Sequence, residues 1–212
     1  MPSINKSRDP LGTYHLAQHP DLFTPARSNN FVFYPQFKNR LLKEGVSEAT
    51  ATDNDYISAE YAQEVLMLSV NEASVPHMSQ NVIEVKRGNT VMKFAGAVNY
   101  DAGSLKFEDY IGADTKSALY AWRRLAFNKE DETIGRAEDY KITATLVEYT
   151  PDHRQIRYWE LFGVWVSDIS EDSFQQESDG KRVVSVSISY DRAIEHLPDD
   201  NEIIDESVLL NL

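Results

Sequence analysis

Two histidines near the start of the chain have a spacing that can hold a metal ion. His15 and His19 are four residues apart, which would place both rings on one face of a helix. No glutamate follows His15, no third ligand is evident, and Gly12 and Pro20 bracket the pair. We therefore expect two ordinary surface histidines and no bound metal.

The sequence lacks the other residue patterns that carry chemistry. The acidic clusters at 53–55, 130–132 and 199–202 do not have the alternating oxygen ligands and turn glycine of a calcium loop. There is no nucleophile elbow, P-loop or glycine-rich dinucleotide turn, and nothing singles out a pair of carboxylates among 34 acidic residues. The absence of cysteine excludes disulfides and thiol chemistry. We expect no cofactor and no enzymatic activity.

Three aromatic residues close together leave a binding role open. Trp159, Phe162 and Trp165 could form a stacking platform for sugars or bases. Large aromatic side chains more often fill a core, which is the interpretation that we favour.

The charge balance limits the possible partners. The 212 residues carry 21 Lys and Arg against 34 Asp and Glu, a net charge of −13. Such an acidic chain is unlike proteins that bind nucleic acid through its phosphates, but it could still form a surface along which nucleic acid moves without binding. No apolar run approaches the roughly 20 residues of a membrane span, and residues 1–10 have no apolar signal segment. We expect a soluble protein made in a cytoplasm, with no membrane partner.

The two ends of the chain have opposite charges. Residues 1–43 hold six basic and two acidic residues, a net +4, whereas residues 141–212 hold six basic and fifteen acidic residues, a net −9. We hypothesise that the basic arm of one copy docks on the acidic C-terminal region of another. The candidate residues for this contact are Arg8, Arg27, Lys38, Arg40 and Lys43.

The sequence divides into three parts. Five of the eight prolines lie in residues 1–60, where they disfavour helix and central strand and indicate an extended N-terminal arm. Residues 61–197 read as the folded β domain, with an alternating pattern already at 64–70. Residues 198–212 read as an acidic tail.

The folded part predicts antiparallel strands with one helix between them. Residues 82–86 and 90–97 flank Arg87-Gly88-Asn89 and indicate a hairpin. A single apolar stripe predicts a helix at 114–128. The remaining strands are expected at 104–110, 141–149, 158–169 and 182–192. The predicted fold is mainly β with one inserted helix (α+β), an antiparallel barrel or sandwich. The candidate core residues are Leu119, Trp122, Leu125, Ile142, Leu146, Trp165, Val184, Val186 and Ile188.

The last strand has the clearest alternation in the chain. Val184, Val186 and Ile188 point to one side, and small hydroxyl side chains at Ser185, Ser187 and Ser189 point to the other. Thr143 and Thr145 alternate in the same way with Ile142, Ala144 and Leu146.

The order of these segments resembles the tail-tube proteins of tailed bacteriophages, in particular the tube subunits of contractile tails, which are similar in fold to the hemolysin-coregulated protein of type VI secretion. The likeness extends from about residue 81 to 192 and rests on Gly163, Trp165, Ile169 and Tyr190. The matching segments are NVIEVKRGNTVMKFAGAV, DTKSALYAWRRL, YKITATLVEY, GVWVSDIS and VVSVSISYDRA. The 60-residue extension before them departs from compact tube proteins.

The resemblance implies a structural virion protein of the tail, assembled in the host cytoplasm into stacked hexameric rings around a channel for DNA. The resemblance also implies that copies of the chain associate with one another, with sheath, baseplate and tape-measure proteins as further partners. An acidic wall of small polar groups would let DNA pass without sticking. The candidate lumen-facing residues are Thr143, Thr145, Ser185, Ser187 and Ser189. The alternatives are a tube initiator or terminator, a secretion-system tube, and a monomeric β-sandwich that binds carbohydrate or peptide through Trp159 and Trp165.

Overall fold

The computed structural model describes residues 26–112, 114–173 and 180–197. The strands of these residues, in chain order, are β1 (Phe31–Gln36), β2 (Leu41–Leu42), β3 (Tyr56–Ile57), β4 (Val70–Ala73), β5 (Met78–Arg87), β6 (Thr90–Tyr100), β7 (Gly103–Glu108), β8 (Phe127–Asn128), β9 (Thr133–Ile134), β10 (Ile142–Tyr149), β11 (Gln155–Glu171), β12 (Val183–Ser189) and β13 (Arg192–His196). The helices are α1 (Ala59–Ser69), α2 (Thr115–Ala126) and α3 (Ala137–Tyr140). The fold is mainly β and antiparallel, as predicted.

One seven-stranded sheet organises the chain. Its order is β1-β10-β11-β12-β7-β4, and β13 also pairs with β11. Strand β13 pairs with residues 158–162 of β11 and β12 pairs with residues 165–171, so the two short strands follow one another along the same long partner. The 17-residue β11 therefore joins the two halves of the sheet.

Helix α2 covers one face of this sheet and closes the core. Leu119 and Trp122 of α2 are buried together with Val184, Val186 and Ile188 of β12. The ring of Phe37 meets the ring of Trp122 edge-on, with centroids 5.3 Å apart. Each fully buried side chain of this size contributes about 1.5–3 kcal/mol to stability. Of the other candidate core residues, Ile142 and Leu146 are buried and Leu125 packs against the core from its border.

The segment predicted as a strand at 64–70 is mostly a helix. Helix α1 ends at Ser69, and Ser58 caps its start by accepting a hydrogen bond from the backbone N–H of Tyr61. Ala62, Val65, Leu66 and Ser69 are buried, which is the spacing of one helical face. The prediction of a single inserted helix was therefore wrong.

The predicted boundary at residue 60 also differs from the structure. Strand β1 pairs with β10 along its length, and Phe33, Leu41 and Ile57 belong to the core. The loop that follows β2 is held by the Arg124 guanidinium of α2, which donates hydrogen bonds to the backbone oxygens of Lys43 at 2.5 Å and Val46 at 2.6 Å. The described residues before 60 are therefore part of the folded domain, and residues 1–25 and 198–212 lie outside the described residues.

Candidate assembly surfaces

The face of the sheet opposite α2 carries a group of serines. Ser185, Ser187 and Ser189 are half-buried on β12, alternating with buried aliphatic side chains, and this confirms the predicted alternation. Residues directly opposite each other on neighbouring strands share a face. The register therefore adds Ser104 of β7, which faces Ser187, and Ser170 of β11, which faces Ser185. We call Ser104, Ser170, Ser185, Ser187 and Ser189 the serine face.

The cations around the serine face are paired with carboxylates. Lys106, opposite Ser185, forms an ion pair with Glu72 at 2.7 Å. Lys181 bonds Glu108 at 2.9 Å, and hydrogen bonds from Lys181 and Tyr110 lower the pKa of the Glu108 carboxyl. Asp168, opposite Ser187, adds a negative charge. The serine face thus offers small hydroxyl groups, and the neighbouring Lys106 and Lys181 are both paired with carboxylates.

The two threonines differ from each other. Thr143 is half-buried, but Thr145 is only 7% exposed and belongs to the buried residues. Thr145 lies between Tyr34 of β1 and Glu160 of β11, whose larger side chains flank it. The alternation of a strand predicts which side of the sheet a side chain lies on, but it does not predict how exposed that side chain is. Thr145 was therefore wrongly predicted as a surface-facing residue.

Trp165 was also predicted wrongly, as a core residue. It is half-buried, lies opposite Ser189 on the side of the serine face, and meets Tyr140 edge-on at 5.8 Å. The buried positions of β11 change from Trp159 and Leu161 to Val164 and Val166, a shift of one residue at Gly163. Gly163 has φ +68°, which permits this irregularity.

A charged contact holds the backbone at this irregularity. The backbone N–H of Asp191 donates to the carbonyl of Phe162 at 2.9 Å, and Lys141 Nζ donates to both carboxylate oxygens of Asp191 at 2.8 and 2.7 Å. A Cβ at position 163 would lie 2.3 Å from Asp191 Oδ2. The glycine therefore allows β10, β11 and the link between β12 and β13 to meet at one point.

A second surface is the hairpin of β5 and β6, residues 78–100, which we call the long hairpin. Its strands pair only with each other among the described residues, and nearly every position is exposed. The two-residue turn at Gly88 and Asn89, where Gly88 has φ +62°, confirms the predicted turn. Strand β5 extends beyond the predicted 82–86 at both ends, and β6 begins at residue 90 as predicted but continues past residue 97.

The long hairpin exposes large apolar side chains on both of its sides. One side carries the cross-strand pairs Ile83–Phe94 and Val85–Met92, and we call it the apolar side. The other carries the ion pair of Glu84 with Lys93. The exposed apolar residues of the hairpin are Met78, Val82, Ile83, Val85, Val91, Met92, Phe94 and Val98. An isolated two-stranded hairpin is marginally stable in water, and exposed apolar patches of this kind mark interaction surfaces.

Charged groups at the far end of β11 tie the sheet to α2. Glu171 accepts hydrogen bonds from Lys116 Nζ at 2.9 Å and from the Tyr120 hydroxyl at 2.7 Å, and it also bonds Arg182. The bonds from Lys116 and Tyr120 lower the pKa of the Glu171 carboxyl. The bond to Glu171 raises the pKa of Tyr120 to about 12. This network ties the end of β11 and the start of β12, which both carry serines of the serine face, to α2.

The candidate arm residues do not form one group. Arg8 lies outside the described residues, as do His15 and His19. Arg27 and Lys38 are exposed. Arg40 is bonded to Asp53 at 3.0 Å and stacks on Tyr56, and Lys43 Nζ donates to the carbonyl of Asn54. The last two residues are therefore engaged within the chain.

The described residues show no arrangement suited to a metal or a spanning helix. They contain no cluster of three or more His, Asp or Glu side chains that could hold a metal ion. Within the same ranges, no helix is both long and apolar enough to cross a membrane. Trp159 is only 7% exposed, so it does not form part of an open aromatic platform.

Comparison with solved structures shows the same fold in contractile injection systems. A chain of the sheath-tube complex of the extracellular contractile injection system PVC, in its extended state, is 15% identical, with a TM-score of 0.57 over 88% of this chain and 98% of that one. The tube terminating cap of the anti-feeding prophage is 14% identical, with a TM-score of 0.56 over 82% and 92%. The PVC sheath/tube terminator is 16% identical, with a TM-score of 0.54 over 81% and 96%.

The sequence itself assigns the chain to a family. No curated protein sequence matches it. Residues 55–193, about two thirds of the chain, match the family described as T4-like virus tail tube protein gp19, and this range contains the serine face, the long hairpin and both longer helices. The chain therefore belongs to the family of T4-like virus tail tube proteins.

Proposed function

We propose that this protein is the subunit of a phage tail tube, which self-associates into stacked rings of six around a channel through which DNA leaves the particle. The long hairpin carries this proposal. It exposes apolar side chains on both sides, and Ile83 and Phe94 are each about half exposed, at 54% and 50%. A monomer would leave this surface in water, whereas neighbouring copies would bury it.

Open strand edges support self-association. Strands β1 and β4 end the main sheet, and the two strands of the long hairpin have no further partner among the described residues. Unpaired edges favour pairing with another chain, and a closed barrel of several copies removes them. The order of six comes from the resemblance to tail-tube proteins.

The serine face supports the channel. Its hydroxyl side chains are small and either half-buried or exposed, and Lys106 beside it forms an ion pair with Glu72. A surface without free cations releases few counterions from DNA and so retains it weakly. We propose that the serine face lines the lumen, with α2 on the outer side, where a sheath would surround the tube. The role would be structural and not enzymatic.

Electron microscopy of the purified protein over a concentration series tests this function. We expect rings or hollow tubes with a central channel. Phe94→Ser should raise the concentration needed for assembly about tenfold or more, because it removes an exposed apolar anchor. Phe127→Ser is the matched control, since Phe127 is similarly exposed on β8, away from the hairpin, and should leave assembly unchanged.

Three outcomes would speak against this function or redirect it. A wild-type protein that stays monomeric at every concentration would contradict self-association. Discrete rings that never stack would favour a tube-end protein. Equal effects of the two substitutions would show that the hairpin has no special part in assembly.

A further inference from the structure

The long hairpin has a positively charged tip on a negatively charged chain. Lys86 and Arg87 adjoin the turn, and no ion pair engages either side chain within the described residues. Residues 78–100 hold three basic residues and one acidic residue, a net +2, whereas the remaining chain holds 18 basic and 33 acidic residues, a net −15. The tip therefore has the opposite charge to most of the chain, which favours contact with an acidic surface of another copy.

Arg87 lies on the apolar side of the long hairpin. It faces Thr90, two residues beyond the Val85–Met92 pair and four beyond the Ile83–Phe94 pair. This side thus presents two apolar pairs and then a cation. Along a strand, the distance from Ile83 to Arg87 is about 13 Å.

Helix α1 presents the complementary arrangement. Its outward face carries Leu68, 67% exposed, then Glu64 and Tyr61, and finally Glu60 at the first turn. The helix contains no Lys or Arg. Leu68 and Glu60 are about 12 Å apart along the helix axis, which matches the span on the hairpin. Within the described residues no ion pair engages Glu60 or Glu64, so this face combines an exposed leucine with two free carboxylates.

We propose that the apolar side of the long hairpin of one copy docks on the outward face of α1 of a second copy, with the Ile83–Phe94 pair on Leu68 and Arg87 beside Glu60. This contact rests on the proposed function and specifies which surface receives the hairpin.

Such a contact is heterologous, because it joins two different surfaces of the chain. The two surfaces are different parts of the chain, so a copy that offers its hairpin to one neighbour still offers α1 to another. Contacts of this type build rings or filaments and not closed twofold dimers. A tube requires contacts of this kind.

The absence of cysteine makes a cross-linking experiment direct. In the full-length chain, Arg87→Cys combined with Glu60→Cys should give disulfide-linked ladders after mild oxidation of assembled protein. Arg87→Cys combined with Glu132→Cys, an exposed loop position away from α1, is the control and should give at least tenfold less cross-linking.

Charge exchange gives an independent measurement. Glu60→Lys with Glu64→Lys, or Lys86→Glu with Arg87→Glu, should each raise the assembly concentration about tenfold, and the two sets combined in one chain should restore it, because the charges are again opposite. Circular dichroism of each variant checks that the domain is folded.

The outcomes separate this contact from the function. Tubes without the 87–60 cross-link, or without rescue by the combined variant, would overturn the contact and leave the tube function standing. Cross-linked ladders without tubes would support the contact and contradict the tube. A monomeric wild-type protein would contradict both.

Discussion

At the residue scale, Glu171 shows how a surface charge helps to hold the sheet in place. Its carboxylate lies at the end of β11 and receives hydrogen bonds from Lys116 and Tyr120 of α2, and from Arg182 just before β12. The ionised carboxylate is thus favoured in the folded state, since bonds from Lys116 and Tyr120 lower its pKa. The stability that it provides must depend on pH.

The sign follows from the lowered pKa. A carboxyl group that is more acidic when folded contributes stability above its unfolded pKa of 4.5, and this contribution disappears as the pH falls through the folded value. We expect Glu171→Gln to lower the free energy of unfolding by about 1 kcal/mol at pH 7 and to reduce the loss of stability between pH 5 and 3. Urea unfolding across this pH range measures both effects.

The same titration of Glu48→Gln, an exposed loop variant, provides the comparison. If the two variants respond alike to acid, the network around Glu171 contributes nothing specific.

Single residues also explain where sequence interpretation failed at the candidate site. The alternation of Ser185, Ser187 and Ser189 could be predicted because β12 is regular. The position of Trp165 could not be predicted, because the one-residue shift at Gly163 depends on the contact of this glycine with Asp191, 28 residues away along the chain. The burial of Thr145 could not be predicted either, because it involves neighbours on β1 and β11.

At the element scale, α1 illustrates the ambiguity of a short apolar segment. Leu66, Leu68 and Val70 alternate as a strand would, but Ala62, Val65, Leu66 and Ser69 also form one helical stripe. The cap at Ser58 and packing against α2 decide in favour of the helix.

Most strands and α2 could be predicted because their patterns are longer. The exposure of the long hairpin could not, because its apolar residues are of the same types as core residues.

The connection between α2 and the loop before α1 gives a prediction at this scale. Arg124 is nearly buried and donates to the backbone oxygens of Lys43 and Val46. We expect Arg124→Ala to lower the free energy of unfolding by about 1.5–3 kcal/mol, because these acceptors lose a charged donor. Chemical denaturation measures the change.

Arg123→Ala is the matched control, since it makes the same substitution one residue earlier on α2, and it should cost less than about 0.5 kcal/mol. A loss of similar size in both variants would mean that α2 itself is sensitive at this end, and that the loop contacts are not the cause.

At the scale of the whole molecule, the serine face and the long hairpin have separate roles in the proposed tube. The hairpin would join copies, and the serine face would meet the contents of the channel. A cation on the serine face should therefore change what the tube retains and leave its assembly intact.

Ser187→Lys tests this division. In a ring of six it would add six positive charges to the channel wall, and we expect assembled tubes to retain short double-stranded DNA at least about tenfold better than wild-type tubes at low salt. Co-sedimentation measures retention, and protection from nuclease shows whether the DNA lies inside.

Ser47→Lys, in an exposed turn outside the sheet, provides the contrast. DNA held by this variant should remain open to nuclease. Unchanged retention by Ser187→Lys tubes would place the serine face elsewhere than in the lumen.

The pairing of β1 with β10 has a consequence for the newly made chain. Phe31 pairs with Glu148, so 117 residues separate the two partners in the sequence. At about 5–20 residues per second, a ribosome needs roughly 6–23 seconds to make the intervening chain. During this time β1 has no partner strand, whereas the long hairpin, closed by a two-residue turn, can form within microseconds of its synthesis. The apolar hairpin can thus form transiently before the domain that carries it has folded. On a polysome, the hairpins of adjacent nascent chains are therefore available to one another before any subunit is released.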